Sequence, residues 1–318
     1  MARPRVYIHA IAALGPHGDL MPAERRPLAA DPPPLVLKEL VKSVVGVPLR
    51  QASHFVELAT IGSQLCLKRL PQPAPENTAV YLGSGFAEMR KNEEVFRQVM
   101  PPGPGMASPF DFINTANNMA AFYTARLANL NARNLTITQE EFSFEWALHL
   151  AMNDLRAGEY HQALAGGVDE NIYPRDQHLR RIALRDDQFI GEGSGWLFLG
   201  LHAAGARGEL LGVQHDNTGA GLVAFCAGTV ANLRQAHEPL WLLPGFRLES
   251  HERTALQSAL PGALLHDYVV NSGAWPTAAA FGIGSALEDD RVTPGLIVHV
   301  NHNEHGHCMV VVLRKFPQ

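Results

Sequence analysis

The sequence predicts an α/β architecture in which strands buried on both faces alternate with helices. Short apolar runs such as Val80-Tyr81-Leu82 and Ala163-Leu164-Ala165 lack the polar alternation of a half-exposed strand. Helical patterns fill the stretches between such runs. Glycines cluster at the ends of the runs, at Gly83, Gly85, Gly166, Gly167, Gly191, Gly193 and Gly195. There the backbone must turn sharply or let another segment come close. At 318 residues and 46% hydrophobic, the chain can bury a large core, as one compact unit or two intimately packed halves.

The elements follow in order. The opening MARPRVYIHAIAALGPHGDL is read as a first strand and a glycine turn. Its two arginines and apolar run imitate a secretion signal, but the run is short and broken by His9, so the targeting reading is rejected. Pro22–Pro34 reads as a surface loop, and helices are expected around Leu35–Val45 and Ala52–Leu70. Pro71–Asn77 punctuates the chain before the Val80 strand, and a Pro/Gly cluster spans Met100–Pro109. Next come a strand at Leu135–Thr138, a tight turn, a helix at about Ser143–Arg156, and a strand ending in Gly166-Gly167-Val168-Asp169-Glu170. The C-terminal portion begins near residue 205, with an alanine-rich helix within Gly219–Gln235 and strands at Gly295–Val300 and Met309–Lys315. The expected division is residues 1–205 and 206–318.

Composition narrows the function classes. The net charge is −5, from 26 Lys and Arg against 31 Asp and Glu, and no basic run suggests a nucleic-acid footprint. Cys66, Cys226 and Cys308 are far apart, which indicates neither a disulfide framework nor a zinc motif. A reducing, cytoplasmic location is expected. No apolar stretch reaches the roughly 18 residues that a membrane span needs. Near the end, Asn301-His302-Asn303-Glu304-His305-Gly306-His307-Cys308 imitates a metal site. Its spacing matches no zinc pattern, so it is read as a turn between the terminal strands. His149 and His161 are read as packing or surface residues. No cofactor or metal is expected.

Several motifs together resemble the β-ketoacyl synthases of the thiolase superfamily. The strand, turn, helix and Gly-Gly strand of residues 134–170 resemble that family's nucleophile elbow. Gly83-Ser84-Gly85-Phe86 resembles its G-S-G-hydrophobic turn, which opens a helix at the dimer interface. Residues 108–127, SPFDFINTANNMAAFYTARL, follow its S-P…N-M pattern with Asn118-Met119 in place. Gly191-Glu192-Gly193-Ser194-Gly195 followed by Trp196-Leu197-Phe198-Leu199 looks like its G-E-G-(A/S)-G strand. The resemblance covers roughly residues 80–215 and is specific as a set, although each glycine motif alone is weak. It implies a layered αβαβα fold of two pseudo-symmetric halves, here with the C-terminal half trimmed.

The catalytic positions of that family are altered. Glu141, 25 residues before Gly166, stands where the family keeps its cysteine. A thiolate would form a thioester of similar energy to the incoming one, whereas a carboxylate would form a high-energy mixed anhydride. A glutamate at a helix start is comfortable as an anion, so Glu141 is read as a structural group. In Asn271-Ser272-Gly273-Ala274-Trp275, Ala274 takes the place of one family histidine. The loop of the other falls near Leu243–Glu249, and no histidine lies between His237 and His251.

Chain-length factors, the inactive partners of active ketosynthases, share such losses. The resemblance implies a heterodimer with an active β-ketoacyl synthase, served by an acyl carrier protein, in which this chain closes the acyl tunnel. The chain looks most like the chain-length factors of aryl polyene systems. Phe86 matches the gating position, with Arg90 and Glu94 expected one and two turns further along the same helix face. Phe110, Asp111 and Phe112 match a second lining segment. Those aromatics equally suit a plain interface-filling role. Two other readings stay open: a stand-alone decarboxylase or acyltransferase using Glu141 as a base, and a homodimeric scaffold that binds acyl groups or their carrier.

Overall fold

The computed structural model describes residues 3–19, 26–171, 182, 184–185, 187–216 and 219–318. Residues 22–25 of the expected proline-rich loop lie outside the described residues. Among the described residues, eleven strands form: β1 (Val6–Gly15), β2 (Gly18–Asp19), β3 (Ala79–Gly83), β4 (Asn134–Ile137), β5 (Gln162–Asp169), β6 (Gly193–Gly200), β7 (Gly208–His215), β8 (Leu240–Pro244), β9 (Ala263–Leu265), β10 (Gly295–His302) and β11 (Cys308–Lys315). The helices that matter below are α1 (His54–Lys68), α2 (Met89–Val99), α3 (Pro109–Ile113), α4 (Met119–Leu127), α5 (Ser143–Ala157), α6 (Leu222–Ala231), α7 (Ser250–Ala259), α8 (Val269–Ser272) and α9 (Ala278–Glu288).

The strands run in the order β4-β3-β5-β6-β1-β7-β11-β10-β8-β9, with β2 paired to β1. Each side of this sheet has the same plan. β3 is parallel to β4 and β5, while β6 is antiparallel to β5 and β1. Likewise β8 is parallel to β9 and β10, while β11 is antiparallel to β10 and β7. β1 and β7 join the two sides through antiparallel pairs such as Tyr7 with Glu209.

Side-chain alternation along these strands sorts the core into three layers. Ala10, Ala12 and Leu14 of β1, with Val80 and Leu82 of β3, face Phe55, Leu58 and Ile61 of α1. Ile8 and Ile11 of β1, Tyr81 of β3, and Ile297, Val311 and Leu313 from the far side pack around α5 and α9. Leu240, Leu242, Val298 and Val312 face Cys226 and Val230 of α6 and Leu256 of α7. The layering is helix, sheet, helix, sheet, helix. That is the thiolase-like αβαβα arrangement.

Local sequence explains the helix ends that shape the site. Ser53 caps α1, its hydroxyl accepting from the Val56 amide at 3.1 Å. Gly158, left-handed at φ 79°, ends α5. Glu249 and Glu252 form a reciprocal capping box at the start of α7. α9 is buried from Ala278 to Leu287, with Ser285 its one polar side chain before Glu288, as a helix packed between the two sides of the sheet must be. It comes so close to β6 that a Cβ on Gly195 would lie 2.4 Å from the Ala280 carbonyl carbon. Only glycine fits there.

Candidate functional site

The elbow between β4 and α5 keeps a strained shape. Glu140 has φ +46°, an uncommon value for a residue with a side chain. Ser143 holds the bend from both ends: its hydroxyl donates to the Glu140 carbonyl at 2.8 Å and accepts from the Gln139 amide at 2.7 Å. The next residue, Glu141, is thereby aimed inward and buried.

Glu141 meets Arg247, from the loop after β8. The guanidinium Nε donates to Glu141 Oε1 at 2.7 Å, and Nη2 contacts the same oxygen. Both side chains are under a tenth exposed. Arg247 was missed in the sequence; the one available signal was a lone cation in the apolar run LLPGFRLE. A cleft of about 200 Å³ opens over the pair, lined in part by Phe86, Glu140, Pro276 and Glu304. Ala274, two residues before Pro276, is fully buried, its amide donating to the Phe189 carbonyl at 2.7 Å. Its methyl group offers no proton to a reaction.

Asp169 ties the surrounding turns together. Its buried carboxylate accepts from the Ser84 hydroxyl (2.8 Å), the Gly85 and Phe86 amides (2.9 and 3.0 Å), and the amide and hydroxyl of Thr277 (2.9 and 2.7 Å). This clamp corrects one expectation. The G-S-G-F turn does not lead straight into a helix, because Asp169 holds its first amides and Ser84 takes the Ala87 amide at 2.7 Å. Ala87 is left-handed at φ 50°, and α2 starts only at Met89. Phe86 therefore precedes the helix that carries Arg90 and Glu94, and shares no helix face with them.

The other sequence-selected residues fall into two groups. Lys91 bridges Glu94 at 2.5 Å and Asp111 at 3.3 Å, and Asp111 also accepts from Gln98 at 2.9 Å. Arg90 turns inward: Nη2 donates to the Asn171 carbonyl at 2.8 Å, and Nε lies 3.6 Å from Glu170 Oε2. Phe110 and Phe112 point outward, at 58% and 65% exposed. Nine of the fourteen exposed large apolar residues described lie between Phe96 and Leu135. They sit on α2, α3 and α4, their connections, and the edge strand β4.

Beneath Arg90 lies an acidic corner that sequence reading did not find. Glu88 and Glu170 are buried, and burial pushes their carboxyls up to about 8 and about 7. The Ser53 hydroxyl on Glu88 and the Arg90 charge near Glu170 offset this only in part. Nearby, His54 bonds Glu192 at 2.9 Å. Burial opposes the imidazolium charge, but Glu192 outweighs it and holds the imidazole above its usual value.

In the terminal turn, His302 contacts the Arg247 carbonyl and Glu252, each at 3.2 Å, while His307 packs edge-on against His215. Among the described residues, no three His, Cys, Asp or Glu side chains are placed to hold a metal ion. The three cysteines are free and buried. No helix among the described residues is long and apolar enough to cross a membrane.

Residues 52–181 match the family described as "Beta-ketoacyl synthase, N-terminal domain". That segment runs from the start of α1 through the elbow and β5, and it is similar to the family's N-terminal domain. No curated protein matches this chain by sequence. Among solved structures it is similar to the ishigamide ketosynthase/chain length factor, at 19% identity and TM-score 0.80, covering 98% of this chain and 100% of that one. It is also similar to AntDE:AntF, a type II polyketide synthase acyl-carrier protein in complex with its ketosynthase, at 13% identity and TM-score 0.78 over 99% and 100%. A β-ketoacyl synthase from Burkholderia phymatum STM815 matches at 15% identity and TM-score 0.73, again over 99% and 100%. At these identities the shared property is the fold. On that fold, Glu141 and Arg247 form a closed ion pair at the elbow between β4 and α5.

Proposed function

We propose that this chain is the non-catalytic, chain-length-factor subunit of a condensing complex, paired with an active β-ketoacyl synthase and served by an acyl carrier protein. The observation that carries the reading is Glu141, buried against Arg247 at an intact elbow. A carboxylate oxygen engaged by a guanidinium is a poor nucleophile and a poor base. Acylating it would also create a mixed anhydride. With Ala274 in place of a histidine, no described residue lining the cleft provides the thiolate or the imidazoles that condensation needs.

The pattern of exposed apolar residues supports the pairing. Phe96, Met100, Phe110, Phe112, Ile113 and Phe122 are all at least 45% exposed. A concentration of this kind on one part of a soluble surface marks a docking face. The adjacent strand β4 is a sheet edge, with one side open to pairing. In this reading Phe86, Arg90, Glu94, Phe110, Asp111 and Phe112 border the tunnel end, and Phe86 is the gate. The division into residues 1–205 and 206–318 follows the repeated strand plan and falls between β6 and β7. The products would be polyene or polyketide chains built by fatty-acid-like elongation.

Native mass tests the pairing. The chain is expressed alone and then with the active ketosynthase encoded beside it. A stable 1:1 complex, with aggregation or poor yield alone, is the expected result. A homodimer that ignores the ketosynthase would sink the reading and return Glu141 to consideration as a base. In the reconstituted complex, Phe86→Ala should lengthen the products; an unchanged product length removes Phe86 from the gate.

A further inference from the structure

Behind the Glu141–Arg247 pair, a second polar group is sealed in the core. Glu145 lies one helical turn beyond Glu141, and His299 and Asn301 project from the same face of β10. All three are at most 1% exposed. Asn301 Nδ2 donates to the Glu141 carbonyl at 2.9 Å and to Glu145 Oε1 at 3.1 Å. The Tyr268 hydroxyl lies 3.0 Å from His299 Nε2. His299 Nδ1 and Glu145 Oε1 are 3.8 Å apart, too far for a hydrogen bond. Glu145 Oε2, His299 Nδ1 and Asn301 Oδ1 have no hydrogen-bond partner among the described residues.

Leaving a buried polar atom unpaired is costly, so three on neighbouring side chains need a common explanation. A carboxyl–imidazole gap just beyond bonding range is typical of a bridging water. Buried waters make about three bonds to groups otherwise unsatisfied. We infer that Glu145, His299 and Asn301 hold one buried water molecule, and that through it they fix the Glu141 elbow against β10.

The donors and acceptors balance without any charge. Among the described residues, His299 Nε2 is the acceptor that Tyr268 reaches, so Nε2 is bare and Nδ1 carries the hydrogen. Burial pushes Glu145 up to about 8 and His299 down to about 3, which leaves both neutral at pH 7. Glu145 Oε1 accepts from Asn301, so the acid proton sits on Oε2. The water then accepts from Nδ1–H and Oε2–H and donates to Asn301 Oδ1. The nearest charges form pairs of their own, Glu141 with Arg247 and Asp267 with Arg253. The site does not depend on a partner subunit. Its role is positioning: it braces the carbonyl of the residue that fills the nucleophile's place.

A high-resolution crystal structure of the chain, alone or in its complex, tests the site. The expected result is a water peak within hydrogen-bonding distance of all three atoms. A direct Glu145–His299 bond with no density between them overturns the inference. Nitrogen-15 spectra of the His299 ring should show a neutral Nδ1–H form that does not titrate between pH 6 and pH 8 (a window of about two units around neutrality). A charged or titrating ring overturns it equally. The positioning role is read by hydrogen exchange at the Phe142 amide, which donates to the Gln139 carbonyl at 3.0 Å. Glu145→Leu should speed that exchange by about tenfold or more, and Glu145→Gln by less than about threefold. Equal effects of the two substitutions would leave the elbow unbraced by this site. The two wild-type measurements decide the water site even if Glu145→Leu fails to fold.

Discussion

The filled elbow and the acidic corner are both buried and charged, yet they balance their charges in opposite ways. At the elbow, a carboxylate from the first half of the chain meets a guanidinium from the second in direct contact. At the corner, among the described residues, Glu170 has neither oxygen hydrogen-bonded and Glu88 Oε2 is unpaired, while the Arg90 guanidinium stands 3.6 Å from Glu170. A contact ion pair can stay ionised inside a protein. Carboxyls without such a partner keep their protons instead. Removing a charge should therefore damage the elbow and relieve the corner.

The largest effect is expected at the elbow. Arg247→Met leaves Glu141 buried and unpaired, and stability by urea denaturation should fall by about 3–5 kcal/mol. The double substitution Glu141→Gln with Arg247→Met should recover most of that loss, because no charge is stranded. Strictly additive losses would mean that the pair contributes nothing as a pair, and the contrast with the corner would collapse.

The corner should respond with the opposite sign. Its carboxyl pKa values are raised in the folded chain, so between about pH 4.5 and pH 7 Glu170 keeps a proton that the unfolded chain has lost. Stability from this group therefore declines as pH rises through that window and levels off above it. Glu88 extends the decline to about pH 8. Glu170→Gln should flatten part of the slope and stabilise the chain at pH 8 by about 1–3 kcal/mol. A destabilised variant at pH 8 would show that Glu170 is held as a working anion after all.

The contrast also explains what the sequence could tell. The elbow was legible as a scaffold, because glycine spacing and apolar runs follow from backbone geometry and close packing. That Glu141 falls at the bend was legible for the same reason. Arg247 was not, since the pair joins residues 106 apart through a fold that brings β8 beside the elbow. Phe86 was placed on the face of Arg90 and Glu94 because local periodicity continues through residues 83–94. The side chain of Asp169, 83 residues away, overrides that periodicity by capturing the Phe86 amide. The corner and the Glu145 site were invisible because glutamate and histidine look the same in sequence whether they are solvated, paired or orphaned. Only the layering decides which.

Arg90→Met gives the smallest effect and the sharpest comparison with Arg247→Met. Both substitutions remove an arginine that lies beside a buried carboxyl. At pH 6 the Glu170 carboxyl still holds its proton, so Arg90 has no full charge to neutralise, and the loss should stay near the ~1 kcal/mol of a backbone hydrogen bond, here to the Asn171 carbonyl. Above about pH 7 Glu170 would ionise beside Arg90 but not in its absence, so the penalty should grow with pH. At pH 6 the Arg247→Met penalty should be far larger, because that substitution strips a contact pair in which neither side chain is more than a tenth exposed. Equal penalties for the two variants at pH 6 would erase the distinction between a charge pair that is complete and one that waits on a proton.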